Sequence, residues 1–83
     1  MASEVFYKAS VEKDLKRIDK AEARQLLTKL EHALSANPNV GEPLAGDLKG
    51  LFKCRIGDYR VVYGKIMGGV LVVRIAHRRE VYR

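Results

Sequence analysis

The stretch LFKCRIGDYRVVYGKIMGGVLVVRIA, residues 51–76, predicts a meander of three antiparallel strands. Strand-forming residues fill about 51–56, 59–66 and 70–76. If Gly57-Asp58 is the first turn, Arg55 lies directly opposite Arg60, although like charges facing each other across a strand pair are destabilising. Alternation then gives the hairpin a packing face of Phe52, Cys54, Ile56, Tyr59, Val61 and Tyr63, and an opposite face of Lys53, Arg55, Arg60 and Val62.

The second turn, around MGG at 67–69, decides which side of the last strand packs. A three-residue loop with a left-handed glycine pairs Tyr63 with Val73, whereas a two-residue loop puts the apolar sets on opposite faces. We therefore expect the three-residue loop, with a core formed by Leu71, Val73 and Ile75. This register places Arg74, Ala76 and, by extension, Arg78 on the face of Arg55 and Arg60.

The first half of the chain predicts a strand and two helices. EVFYKA, residues 4–9, is rich in strand formers, and Ser10 is expected to cap a helix that runs to Ile18. Asp19 is expected to cap a second, amphipathic helix over 20–36. The predicted fold class is therefore α+β: an antiparallel β-sheet, made of the N-terminal strand plus the three-strand meander, with two N-terminal helices packed on one face.

Length and composition indicate one small domain spanning 1–83. The single cysteine, Cys54, rules out an internal disulfide and fits a reducing cytosol. The start, MASEVFYKAS, lacks the basic and apolar regions of a signal peptide, and no apolar run approaches the length of a membrane span. We therefore expect a cytoplasmic protein without a membrane anchor.

The net charge of +6 lies entirely in the last part of the chain. Residues 49–83 carry nine basic and two acidic side chains, whereas residues 1–48 carry seven basic and eight acidic ones. A half-molecule this basic indicates a polyanionic partner, either nucleic acid or an acidic protein segment; a merely solubilising cationic surface is the alternative.

The predicted cationic face is suited to an anion, because guanidinium groups bind phosphate oxygens in pairs. The alternative is that its arginines spread outward into solvent. Tyr82, surrounded in sequence by Arg78, Arg79 and Arg83, is typical of nucleobase stacking; a simple surface tyrosine is the alternative. His77 is either a general base or a structural histidine. No metal-ligand cluster or Gly-rich phosphate loop is present, so no cofactor and no metal are expected.

PLAGDLKGLFKCRIGDYRVVY (43–63) and LVVRIAHRREVYR (71–83) together resemble the RelE/ParE superfamily of toxins, and the RelE branch in particular. The resemblance implies a microbial-ribonuclease-like sheet in a toxin of a toxin–antitoxin system. Its function would be ribosome-dependent cleavage of messenger RNA in the A site, by attack of the 2′-hydroxyl on the scissile phosphate without a metal. The implied partners are a cognate antitoxin protein and the ribosomal 30S A site with its messenger.

The resemblance also implies roles for five residues. Lys53 and Arg55 would deprotonate the 2′-hydroxyl or hold the phosphate, Arg60 would stabilise charge on phosphorus, Arg78 would support the leaving oxygen, and Tyr82 would stack on the nucleotide. The flanking cations Lys49, Arg74, Arg79 and Arg83 are predicted to bind RNA.

Two departures from the family pattern matter. First, Lys53-Cys54-Arg55 replaces the frequent Lys-x-Lys, which leaves Lys53 as the expected base. Second, the sequence stops at Arg83 without the C-terminal helix of many relatives, so regulation through that helix is expected to be absent or altered. Two other functions stay open: a ParE-like toxin that poisons DNA gyrase without cutting RNA, and a non-catalytic RNA- or ribosome-binding module.

Overall fold

A computed structural model describes residues 4–77. The chain begins with one strand and two helices, and four further strands follow. All five strands join in one sheet. Within those residues, no helix is both long and apolar enough to cross a membrane. The elements are β1 (Glu4–Tyr7), α1 (Ala9–Leu15), α2 (Lys20–Ala36), β2 (Glu42–Pro43), a 3₁₀ turn (Gly46–Leu48), β3 (Leu51–Ile56), β4 (Tyr59–Ile66) and β5 (Gly69–His77).

The five strands form one mixed sheet in the order β1-β5-β4-β3-β2. The α+β class and the helices on one face are confirmed, but β1 pairs with β5 in parallel, so the expectation of a wholly antiparallel sheet was wrong in this respect. The connectivity explains the direction. The helices form a crossover from β1 to β3, a connection typical of strands that run the same way, and the antiparallel meander brings β5 back to that direction.

The β3–β4 hairpin has the predicted register. Arg55 faces Arg60, Cys54 faces Val61 and Phe52 faces Tyr63. Gly57 has a φ of 60°, the left-handed value that hairpin turns with glycine at the first loop position require. The predicted division into a packing face and a cationic face therefore holds in this hairpin.

The β4–β5 hairpin differs from the prediction. Its loop is the two residues Met67 and Gly68, and Tyr63 pairs with Val72 instead of Val73. A bulge between Val62 and Tyr63 then leaves Val73 as the extra residue. The buried residues of β5 are accordingly Val70, Val72 and Ile75, and not Leu71 and Val73.

Beyond the bulge, the predicted pairing is restored. Val62 faces Arg74 and Arg60 faces Ala76, as a three-residue loop would also have given. The extra residue, Val73, lies inside the strand instead of in the turn. After it, the side chains of β5 that face the core are the odd-numbered ones instead of the even-numbered ones. Arg74 and Ala76 therefore share the face of Arg60, as expected.

Helix α2 begins and ends where the sequence predicts, and Asp19 caps it by accepting a hydrogen bond from the backbone N–H of Ala21 at 3.2 Å. Ser10 does not cap α1, which begins at Ala9. Its hydroxyl instead donates to the carbonyl of Val73 at 2.6 Å. Asp14 of the same helix accepts from the N–H of Ile75 at 2.9 Å. Helix α1 thus supplies hydrogen bonds along the part of β5 that β1 does not reach.

The core lies between the helices and one face of the sheet, and the other face has no helix against it within the described residues. The core residues are Val11, Leu26, Leu30, Leu34, Tyr59, Val61, Tyr63, Val70, Val72 and Ile75.

Gly69 is required where β1 meets β5. A Cβ at this position would overlap the backbone carbonyl of Glu4, whereas a Cβ on Gly64 would meet the Leu51 side chain at 3.2 Å and the Gly50 carbonyl at an ordinary 3.8 Å. We expect Gly69→Ala to lower the free energy of unfolding by about 1–3 kcal/mol and Gly64→Ala to change it by less than about 0.5 kcal/mol, as measured by urea unfolding. Equal effects of the two substitutions would contradict the tight approach of these strands.

Candidate active site

A groove of about 320 Å³ lies on the sheet surface at β2, β3 and β4. Lys53 and Arg55 are two residues apart on β3 and therefore point to the same side. Arg60 faces Arg55 from β4, and Glu42 faces Lys53 from β2. The lining residues are Glu42, Lys53, Cys54, Arg55 and Arg60.

The groove is electropositive. Three cationic side chains and one carboxylate line it, and Arg55 and Arg60 face each other directly. A facing pair of like charges costs free energy that a bound anion would recover. Lys53 and Arg60 are half-buried and Arg55 is exposed, so the groove is open to a large ligand. Such a surface is suited to a phosphodiester, whose oxygens accept hydrogen bonds from guanidinium and ammonium groups.

Glu42 is a member of the groove that the sequence did not predict. It belongs to a two-residue strand, too short to show any alternation, in the segment interpreted only as the end of a helix. Opposing residues of an antiparallel pair have Cβ atoms about 5 Å apart, so Glu42 and Lys53 are close neighbours on the same side of the sheet. The groove therefore combines three cationic side chains with one carboxylate.

Arg74 lies on the same face of the sheet as the groove, but its guanidinium bonds to Asp14 of α1. Its Nε lies 3.1 Å from one Asp14 oxygen and its Nη2 3.3 Å from the other. The Arg74 side chain is 59% exposed, whereas that of Asp14 is only 11% exposed, so solvent screens the pair mainly from the arginine side. The structure thus places Arg74 beside α1, and it is not among the residues that line the groove.

Cys54 lines the groove but also packs against the core, and His77 packs against Tyr59. Burial raises the pKa of Cys54 to about 11, so at neutral pH this thiol is a poor nucleophile. His77 faces Tyr59 across the strands, and the two rings meet edge to face with centroids 5.3 Å apart. Among residues 4–77, no three His, Cys, Asp or Glu side chains are grouped as ligands for a metal.

Comparison with known proteins identifies the family. A family model described as the ParE toxin of type II toxin–antitoxin systems matches residues 5–82. The chain belongs to the RelE/ParE toxin superfamily. Toxin RelE of Mycobacterium tuberculosis is 38% identical over 78 residues, which cover 90% of this chain and 80% of that protein. The superfamily recognised in the sequence is confirmed, and this toxin is of the RelE type.

Solved structures show the same fold. The toxin–antitoxin complex RelBE2 of Mycobacterium tuberculosis contains a chain that matches this toxin with a TM-score of 0.84 at 27% identity, over 94% of this chain and 93% of that one. A chain of the intact RelBE complex of E. coli matches with a TM-score of 0.66 at 20% identity, over 92% and 96% of the two chains. At that lower identity the likeness concerns the fold alone.

The predicted site residues of this RelE-type toxin fall into three groups. Lys53, Arg55 and Arg60 come together in the groove. Lys49 is exposed after the 3₁₀ turn and, like Arg74, does not line the groove. The third group, Arg78, Arg79, Tyr82 and Arg83, lies outside the described residues.

Proposed function

We propose that this RelE-type toxin is an endoribonuclease that cuts messenger RNA in the ribosomal A site. The observation that carries the proposal is the groove in which Lys53, Arg55 and Arg60 converge, with Glu42 opposite Lys53. Positively charged groups positioned where charge develops in a transition state usually make the largest contribution to catalysis. A groove this basic fits an RNA backbone better than a neutral substrate.

The proposed reaction uses the RNA's own nucleophile. The 2′-oxygen attacks the adjacent phosphorus, the bond from phosphorus to the 5′-oxygen breaks, and the products are a 2′,3′-cyclic phosphate and a 5′-hydroxyl. The proton of the 2′-hydroxyl goes to a base of the groove, and the leaving 5′-oxygen takes a proton from solvent water. Arg55 and Arg60 bind the non-bridging oxygens, whose negative charge grows in the transition state. Two further roles remain predictions: Arg78 would lie next to the leaving oxygen, and Tyr82 would stack on a nucleobase.

Glu42 widens the choice of base. The sequence indicated Lys53, but a carboxylate offers oxygen acceptors for the proton of a hydroxyl, whereas a lysine ammonium offers only donors. We therefore assign proton acceptance to Glu42, with Lys53 binding the phosphate from the opposite position. An arginine is unsuitable for this role, because its guanidinium is a hydrogen-bond donor with no acceptor atom and does not give up its proton in proteins.

A cognate antitoxin is the proposed partner. The similar structure at 27% identity is a toxin–antitoxin complex. On the open face of the sheet, Phe6, Leu71 and Leu51 form an apolar row across four strands, interrupted by Gly64, and Phe6 is 42% exposed. This row lies beside the cationic groove, so the antitoxin segment that covers both would carry apolar and acidic side chains.

Poisoning of DNA gyrase is the second candidate function, because the matching family model is described as a ParE toxin. Induced expression of the toxin distinguishes the two. For a ribosome-dependent nuclease, we expect translation to stop and messengers to be cut within codons on ribosomes, leaving 5′-hydroxyl ends. DNA damage with intact messengers would select the gyrase poison. Translation arrest with intact messengers would select a non-catalytic ribosome-binding module.

A further inference from the structure

The hydroxyl of Tyr63 bonds to a loop although its ring lies in the core. The side chain is completely buried, and the hydroxyl donates to the carbonyl of Pro38 and accepts from the N–H of Gly41, both at 2.9 Å. Burial also raises the pKa of Tyr63, so the hydroxyl keeps the proton it donates. Tyr63 thereby joins the centre of β4 to the loop that leads from α2 into β2.

A second side chain of β4 contacts the same loop. Lys65 donates to the side-chain oxygen of Asn39, and its ammonium lies 4.8 Å from the centroid of the Phe52 ring. The Phe52 ring in turn stacks on Tyr63, with centroids 5.7 Å apart. The loop is therefore fixed to the sheet at residues 38, 39 and 41.

Gly41 passes through a narrow space. A Cβ at this position would lie 2.6 Å from the Tyr63 hydroxyl oxygen and 2.9 Å from the Lys53 carbonyl oxygen. The backbone is thus enclosed between β4 and β3 one residue before Glu42. This close approach fixes the position of the backbone from which Glu42 continues.

Strand β2 has few bonds of its own with which to hold that position. It pairs only Glu42 with Lys53 and Pro43 with Phe52, and proline has no N–H to donate. The next bond to β3 runs from the N–H of Leu44 to the carbonyl of Leu51, at 2.9 Å. The placement of Glu42 therefore depends on bonds from outside the strand.

We propose that Tyr63 is a positioning residue of the groove, whose hydroxyl anchors the 38–41 loop and so fixes Glu42 opposite Lys53. The inference rests on the proposed function for its catalytic consequence, but the anchoring itself is a property of the fold. Tyr63→Phe is the direct test, because it keeps the ring in the core and removes only the hydroxyl.

Amide hydrogen exchange tests the anchoring without any assay of activity. In Tyr63→Phe, the Gly41 amide should exchange about tenfold faster, because it loses its hydrogen-bond acceptor. Tyr7→Phe is the matched control: its hydroxyl donates to Glu31 at 2.5 Å, away from the groove, so Gly41 exchange should not change. Unchanged exchange in Tyr63→Phe, or equal acceleration in both variants, would overturn the proposal.

A double-mutant cycle tests whether Tyr63 acts through Glu42. Cleavage of ribosome-bound messenger is measured for the unmodified toxin, Tyr63→Phe, Glu42→Gln and the double variant. We expect kcat to fall about tenfold in Tyr63→Phe with KM unchanged, and about a hundredfold in Glu42→Gln. In the Glu42→Gln background, Tyr63→Phe should cause no further loss.

The outcomes separate the two proposals. An equal loss from Tyr63→Phe in both backgrounds would mean that Tyr63 supports the fold in general and does not position Glu42. If the unmodified toxin leaves ribosome-bound messenger intact, the nuclease assignment fails. The exchange rate of Gly41 then still decides whether Tyr63 anchors the loop.

Discussion

Arg60→Ala is expected to abolish toxicity while the protein remains folded. Arg60 is half-buried in the groove and faces Arg55, where a non-bridging phosphate oxygen would be bound. Removal of one donor that stabilises transition-state charge typically lowers kcat by about 10²–10³. The measurement is the cleavage rate of messenger on programmed ribosomes, together with growth after induced expression.

Two further variants make this result specific to the groove. Arg24→Ala removes an equal charge from the exposed outer side of α2, and cleavage should stay within about twofold of the unmodified rate. Arg60→Lys keeps the charge but loses the paired donors, so its cleavage rate should fall between those of the unmodified toxin and Arg60→Ala. Full toxicity of a folded Arg60→Ala toxin would refute the assigned role of Arg60.

The parts of the fold that the sequence predicted well are those set by local rules. The β3–β4 hairpin follows from Gly57 in its turn and from strict alternation on both sides. Helix α2 follows from the Asp19 cap and the leucine stripe. These signals lie within a few residues of the structure they determine, so no distant contact is needed to interpret them.

The features that were missed depend on contacts between distant residues. The bulge at Val73 reverses the face of β5, and alternation from either end cannot show where the extra residue lies. Ser10 bonds to Val73, 63 residues away, so its hydroxyl is not used as a cap. The parallel pairing of β1 likewise depends on where β5 lies, which strand propensity does not encode.

The site shows the same division between local and distant information. The positions of Lys53, Arg55 and Arg60 follow from one hairpin, and the structure brings them together as predicted. Glu42 enters the groove through a two-residue strand held by Tyr63, so no local pattern indicates it. Arg74 has the expected face, but the Asp14 carboxylate, 60 residues earlier in the chain, determines where its guanidinium points.

Among the substitutions proposed for this toxin, Leu30→Ala is expected to cause the largest loss in free energy of unfolding. Leu30 is fully buried at 0% exposure, in the middle of the helix that covers the sheet, and its truncation leaves a cavity that the surrounding strands cannot readily fill. Substitutions of this kind cost about 2–5 kcal/mol, and a fold with a core this small has little stability to spare.

The comparison with Leu48→Ala isolates the effect of burial. Leu48 is 50% exposed, so the same change of side chain should cost less than about 1 kcal/mol. Urea unfolding should therefore show a much lower midpoint for Leu30→Ala at an unchanged slope, and only a small shift for Leu48→Ala. Similar midpoints for the two variants would mean that α2 does not cover the sheet as described.

Because any partner that binds only the folded state adds stability, excess antitoxin should raise the midpoint of Leu30→Ala again.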